Sequence, residues 1–231
     1  MNDARGDAQD DRATAAAVAD VVANVATVRA RIADAARRAR RDPASVRLVA
    51  ATKTVEVARV RAVIEAGVVD VGENRAQELL AKAPGCTDLP ARWHFLGRVQ
   101  RNKVRALAPH VQLWQSVERG ALGEELARRT PGVHVLVEVN LGDEPQKGGC
   151  APADVAPLVD RLVALDLRVD GLMTVPPHDG DPRRWFSSLR DLAERVGVAE
   201  LSMGMTADYD VAVEEGATMV RVGRALFGPR G

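Results

Sequence analysis

The sequence predicts a (β/α)₈ barrel with one extra helix at its N-terminal end. Eight short apolar runs recur between residues 46 and 222, and helix-like stretches alternate with them, one after each of the first seven. The run Val133–Val139 (VHVLVEV) reads as buried on both faces, as parallel strands are. Polar residues recur where the runs stop, which is where a barrel of this kind carries its chemistry. A doubly wound open sheet is the competing arrangement, but it usually has fewer strands. The first strand-to-helix turn, ATKTVE, also lacks a glycine-rich dinucleotide fingerprint.

Residues 1–13 are charged and small, and are expected to form a flexible tail. From Thr14 to Arg41, Val18, Val21, Val22, Val25, Val28 and Ile32 recur at three- and four-residue steps, predicting a helix that Pro43 ends. Strands are expected at Val46–Ala51, Val69–Gly72, Trp93–Leu96, Gln112–Ser116, His134–Asn140, Val169–Thr174, Glu200–Met203 and Met219–Val222. Helices are expected near 55–66, 75–82, 101–108, 118–129, 152–164, 183–196 and 207–215. No Pro/Gly/Ser tract breaks residues 45–228, so residues 14–231 read as one domain.

Composition narrows the function. Lys and Arg number 32 and so do Asp and Glu, so there is no global electrostatic reason to expect nucleic acid or an acidic membrane as partner. No run approaches the ~18 apolar residues of a membrane span. The acidic start MNDARGDAQDDRATA is unlike a secretory signal, so Cys86 and Cys150 are expected as reduced thiols in a cytoplasmic protein. The histidines His110, His134 and His178 show no metal-ligand spacing.

Three segments at strand ends carry a chemical signal. Lys53 stands two residues past the run Leu48–Ala51, where a side chain can enter the barrel mouth. Partial desolvation there would favour a neutral amine able to attack an aldehyde, although the position also suits an ordinary solvated lysine. SMGMTAD (202–208) places small residues and a hydroxyl between strand and helix, where backbone N–H groups can hold an anion. Gly223 sits at the next such turn, and barrels commonly bind phosphate in the loops after their seventh and eighth strands. Arg221 alternates with Val220 and Val222 and faces either inward, as a permanent donor, or outward. An amine, a phosphate cradle and a donor arginine together suit an aldehyde-bearing phosphorylated cofactor.

The chain resembles the pyridoxal phosphate homeostasis proteins (the YggS/PROSC family), themselves similar to the barrel domain of bacterial alanine racemase. The likeness covers roughly residues 15–229. Its landmarks are LVAATKTVEVARVRAVIEAG (48–67), VGENRAQE (71–78), WHFLGRVQRNK (93–103), SVER (116–119), VNLGDEPQKGG (139–149), GLMTVPP (171–177) and LSMGMTADYDVAVEEGATMVRVGRALFG (201–228). The resemblance implies that Lys53 forms the Schiff base with pyridoxal 5′-phosphate. It implies that Ser202, Gly204, Thr206, Arg221 and Gly223 surround phosphate and ring, with Arg221 approaching the pyridine nitrogen. It places Asn74 and His94 on the ring side of the pocket, packs Met173 and Met205 around it, and adds Ser116 to the cofactor-binding set. Thr206 stands where the family commonly has serine. Gln146 stands where serine usually precedes the lysine, so Lys147 receives no role.

His94 also reads as a core histidine satisfied by backbone, and the tryptophans as packing. Three functions follow: a keeper of pyridoxal phosphate that communicates with apoenzymes and free amino acids, a racemase using the same cofactor, or a barrel with another ligand. Racemisation needs acid/base groups on both faces of the substrate carbon. With no further domain expected after the barrel, the sole tyrosine, Tyr209, is poorly placed to be the second. A monomeric keeper is the expectation.

Overall fold

The computed structural model describes residues 3–177 and 179–229, with side chains from residue 17 onward; Met1, Asn2, His178, Arg230 and Gly231 lie outside it. Eight parallel strands close in sequence order into a barrel: β1 (Arg47–Ala51), β2 (Asp70–Glu73), β3 (Arg92–Phe95), β4 (Val111–Val117), β5 (His134–Glu138), β6 (Arg168–Met173), β7 (Glu200–Ser202) and β8 (Met219–Val222). Closure is made by β1 against β8, with Arg47–Ala50 opposite Met219–Val222. Each strand lies within two residues of its expected limits, because the apolar runs themselves mark the buried length.

Helix α1 spans Asp3–Arg38. It begins inside the segment expected as a tail, which holds no proline and carries acidic residues suited to a helix start. It ends earlier than expected because Arg40 takes a left-handed turn, with φ 56°. Its stripe of Val21, Val25, Val28, Ile32, Ala35 and Ala36 is buried and packs on the outer ring. Each such valine contributes about 1.5–3 kcal/mol. The ring comprises α2 (Val57–Glu65), α3 (Ala76–Lys82), α4 (Arg101–Leu107), α5 (Gly120–Arg129), α6 (Val155–Ala164), α7 (Arg183–Val196), α8 (Tyr209–Glu214) and α9 (Arg224–Phe227). The four-residue α9 was not expected, being too short to show a period.

Two apolar layers follow from strand alternation. Val49, Leu113, Leu136, Met173 and Met219 form a small cluster inside the barrel, while Ala50, Trp114, Val135, Val137, Leu172 and Val220 belong to the larger strand–helix core. Two residues further along β5 and β8, Glu138 and Arg221 therefore face the interior one layer above Leu136 and Met219, toward the C-terminal mouth.

Candidate functional site

At that mouth lies a cleft of about 800 Å³, lined among others by Lys53, Arg59, Met205, Thr206, Arg221, Gly223 and Arg224. Its walls come from the ends of β1, β7 and β8, as the strand-end reading requires. Four of its lining residues are cationic and only Asp208 is anionic. Asp208 is already committed, since its Oδ1 accepts from the Met205 N–H at 2.6 Å. The cleft therefore attracts anions.

The half-buried Lys53 sits on a clamped loop. Before it, the Thr52 carbonyl accepts from Lys82 Nζ at 2.8 Å; after it, the Thr54 N–H donates to Glu78 Oε2 at 2.6 Å. Lys82 also meets Glu73 Oε1 at 2.6 Å and Glu78 Oε2 at 3.0 Å, and Thr52 Oγ1 donates to Glu73 Oε1 at 2.6 Å. Burial raises the Glu78 pKa, but the Thr54 N–H and Lys82 overcome this and hold it below its ordinary value. Thr54 has φ 63°, an unusual conformation for a β-branched residue that the clamp sustains.

The two glycine turns are tight for different reasons. Gly204 is left-handed (φ 89°), and a Cβ there would stand 2.5 Å from Ala212 Cβ. At Gly223 a Cβ would stand 3.2 Å from the Ala51 carbonyl, on the strand leading to Lys53. Thr206 Oγ1 accepts from the Ala225 N–H at 3.4 Å and joins the two turns. Arg59 donates to the Phe227 carbonyl, while its buried Nε has no partner among the described residues. That orphaned donor fits an anionic ligand.

Arg221 points inward and is 5% exposed. Burial draws its pKa down to about 10, with Glu138 and Asp208 opposing, so it stays charged at neutral pH. Glu138 is pushed up to about 7 by burial and by nearby Glu118, against the pull of Arg221 and Arg98.

Lys53, Met205, Thr206, Arg221 and Gly223 thus share one cleft; Gly204 shapes its turn, and Ser202 is buried beneath Arg221, whose Nη1 it accepts. The remaining expected residues do not line it. His94 lies in the interior and opens on a different cavity, of about 580 Å³, at the N-terminal end of the barrel. It is a core histidine, but side chains satisfy it: Asp70 Oδ1 is 3.1 Å from Nε2 and Gln115 Nε2 is 2.8 Å from Nδ1. Ser116 Oγ donates to the Gly97 carbonyl, Asn74 is half-buried in the loop after β2, and Met173 fills the interior cluster. Arg59, Arg224 and Glu138 escaped the sequence reading. Only Glu138 left a signal there, as a lone acid inside an apolar run.

A closed parallel barrel with a lysine just past its first strand and glycine turns after its last two defines an alanine racemase-type barrel. The family described as Alanine racemase, N-terminal domain, matches residues 23–231. The alanine racemase of Corynebacterium glutamicum shares the fold, with TM-score 0.70 and 14% identity over 92% of this chain and 61% of that one. Nearer in sequence is the Pyridoxal phosphate homeostasis protein of Pseudomonas aeruginosa, 42% identical over 220 residues that cover 91% of this chain and 96% of its own. PipY of Synechococcus elongatus, in its structure with PLP bound, has TM-score 0.80 and 33% identity over 90% of this chain and 100% of that one. The chain belongs to the pyridoxal phosphate homeostasis protein family.

Proposed function

We propose that this protein holds pyridoxal 5′-phosphate on Lys53 and takes part in intracellular homeostasis of that cofactor. The observation that carries the reading is the convergence of Lys53, Arg59, Arg221 and Arg224 on one cleft walled by the two glycine turns. When bound, the cofactor supplies an aldehyde for an amine to capture and a phosphate for cations and N–H groups to hold. Lys53 provides the amine, on backbone fixed from both sides. The 204–206 turn and Gly223 provide close backbone approach to the phosphate, with Arg59 and Arg224 adding charge. Arg221, charged and buried, donates toward the pyridine nitrogen and keeps a proton off it, which weakens the cofactor as an electron sink.

Tyr209 favours a keeper over a racemase: its hydroxyl is buried without a hydrogen-bond partner among the described residues and is poorly suited to exchange a proton with a substrate. Cys86 and Cys150 are free thiols, in keeping with a reducing compartment such as the cytoplasm. Among the described residues no helix is long and apolar enough to cross a membrane. Among the described residues the large exposed hydrophobics are Val22 on α1 and Val163 on α6, on separate helices, in keeping with a monomer.

The test is to load the protein with pyridoxal phosphate, reduce with borohydride and map the adduct by peptide mass. The adduct is expected on Lys53. An adduct wholly on another lysine, or none with cofactor in excess, refutes the assignment. Transfer of cofactor to an apoenzyme, followed by recovery of that enzyme's activity, tests the homeostatic role. D-amino acid formation from L-amino acids at about 1 s⁻¹ or faster would favour the racemase instead.

A further inference from the structure

Arg221 is a buried cation that makes no ion pair among the described residues. Its hydrogen bonds go to neutral oxygens: Nη1 donates to Ser202 Oγ and Nη2 to the Thr174 carbonyl, both at 2.8 Å. A charge so placed is costly unless further groups compensate it.

The compensation continues through the barrel. Ser202 Oγ–H donates to Gln115 Oε1 at 2.6 Å, which leaves the Gln115 amide nitrogen facing His94 Nδ1 at 2.8 Å. Met219 Sδ, 3.8 Å from the same nitrogen, can only accept, which holds the amide in this orientation. His94 Nδ1 is then an acceptor, so the ring proton is on Nε2 and donates to Asp70 Oδ1 at 3.1 Å. Asp70 Oδ2 accepts from Arg92 Nη2 at 2.7 Å. Burial raises the Asp70 pKa, but the hydrogen bond from His94 and the charge of Arg92 outweigh it and hold it below its ordinary value. Gln115, Ser202 and His94 are all buried. Every link donates in the same sense, from the cation at the C-terminal mouth to the carboxylate at the N-terminal one, so each bond polarises the next.

We propose that Asp70 is the remote counter-charge of Arg221, and that Gln115 and His94 are positioning residues that carry its influence through the barrel interior. The relay adds to the direct pull of Glu138 and Asp208 on the Arg221 charge and aims the guanidinium. The far end of the chain opens on the second cavity, where the Arg92 side chain is 52% exposed. A change at that end therefore reaches the cofactor cleft. Only the consequence for the cofactor rests on the function proposed above.

The test is a double-mutant cycle on the cofactor-free protein, read as the urea midpoint of unfolding for Asp70→Asn, Arg221→Met and both together. The expected result is non-additive: Asp70→Asn lowers the midpoint about twice as far when Arg221 is present as when it is Met, although residues so far apart ordinarily add. In a Gln115→Leu background the two substitutions become additive. His134→Gln, which loses only the contact with Asp170 at the same mouth, serves as control and adds with Arg221→Met. Additive shifts for Asp70 and Arg221 in the otherwise wild-type chain overturn the proposal. If Arg221→Met does not fold, the holo-protein decides: Asp70→Asn shifts the absorbance maximum of bound pyridoxal phosphate and His134→Gln does not. An unmoved maximum in Asp70→Asn then overturns it. Should the wild-type chain bind no pyridoxal phosphate, the function fails, while the cofactor-free cycle still decides the relay.

Discussion

Replacing Glu138 by Gln removes one buried charge and almost no volume. Glu138 ends β5 inside the C-terminal mouth, 9% exposed. Loop residue Gly148 closes over it so tightly that a Cβ there would stand 3.1 Å from both carboxyl oxygens. Burial and Glu118 lift its pKa from the ordinary 4.5 to about 7. The folded state therefore binds a proton that the unfolded chain has already lost between those two values. Stability from this group is full below about pH 4.5 and is lost as pH rises through about 7. The rise corresponds to about 3 kcal/mol, with the opposing pull of Arg221 and Arg98 already included. Glu138→Gln is neutral throughout. The cofactor-free variant should match the wild type near pH 4.5 and exceed it by up to about 3 kcal/mol near pH 8.5. Urea unfolding at both pH values measures the difference. A difference that does not change with pH, or that favours the wild type as pH rises, would refute a proton held on Glu138.

Lys82→Met leaves the fully buried Glu73 carboxylate without its cation and should cost about 3–5 kcal/mol; it should also weaken capture of pyridoxal phosphate by Lys53, measured by titration, and an unchanged affinity would mean that the loop is held otherwise. Gly204→Ala combines a left-handed φ with the 2.5 Å approach to Ala212 and should cost roughly 1–3 kcal/mol. Gly197→Ala, left-handed in open space, should cost about 1 kcal/mol, and equal costs in denaturant would deny the close packing at 204. Tyr209→Phe removes a hydroxyl that is buried without a hydrogen-bond partner among the described residues and should be neutral or stabilising by about 1 kcal/mol, with no effect on any slow conversion of L- to D-amino acids; a loss of either would give the hydroxyl a role.

The sequence by itself determined the order and type of the elements, because one apolar run and one amphipathic stretch per unit leave a parallel barrel as the way to bury both. It also placed Lys53, Thr206 and Gly223 past the ends of their strands, at one mouth of the barrel, since that position is a property of the chain alone; Arg221, inside β8, was left facing either way. Which side chains meet across the barrel was decided only in three dimensions. His94 and Lys53 both follow apolar strand residues in sequence, yet His94 lies low in the interior with Asp70 and Gln115, and Lys53 lies at the opposite end with residues of β8. Alternation along a strand tells inward from outward. The height of a residue within a closed barrel depends on the stagger accumulated between neighbouring strands, to which every strand contributes. The pairings of Lys82 with Glu73, of Glu138 with the layer of Arg221, and of Ser202 with Gln115 join residues from different strands and helices. Each exists because closure brings its partners to the same height, which no single segment encodes.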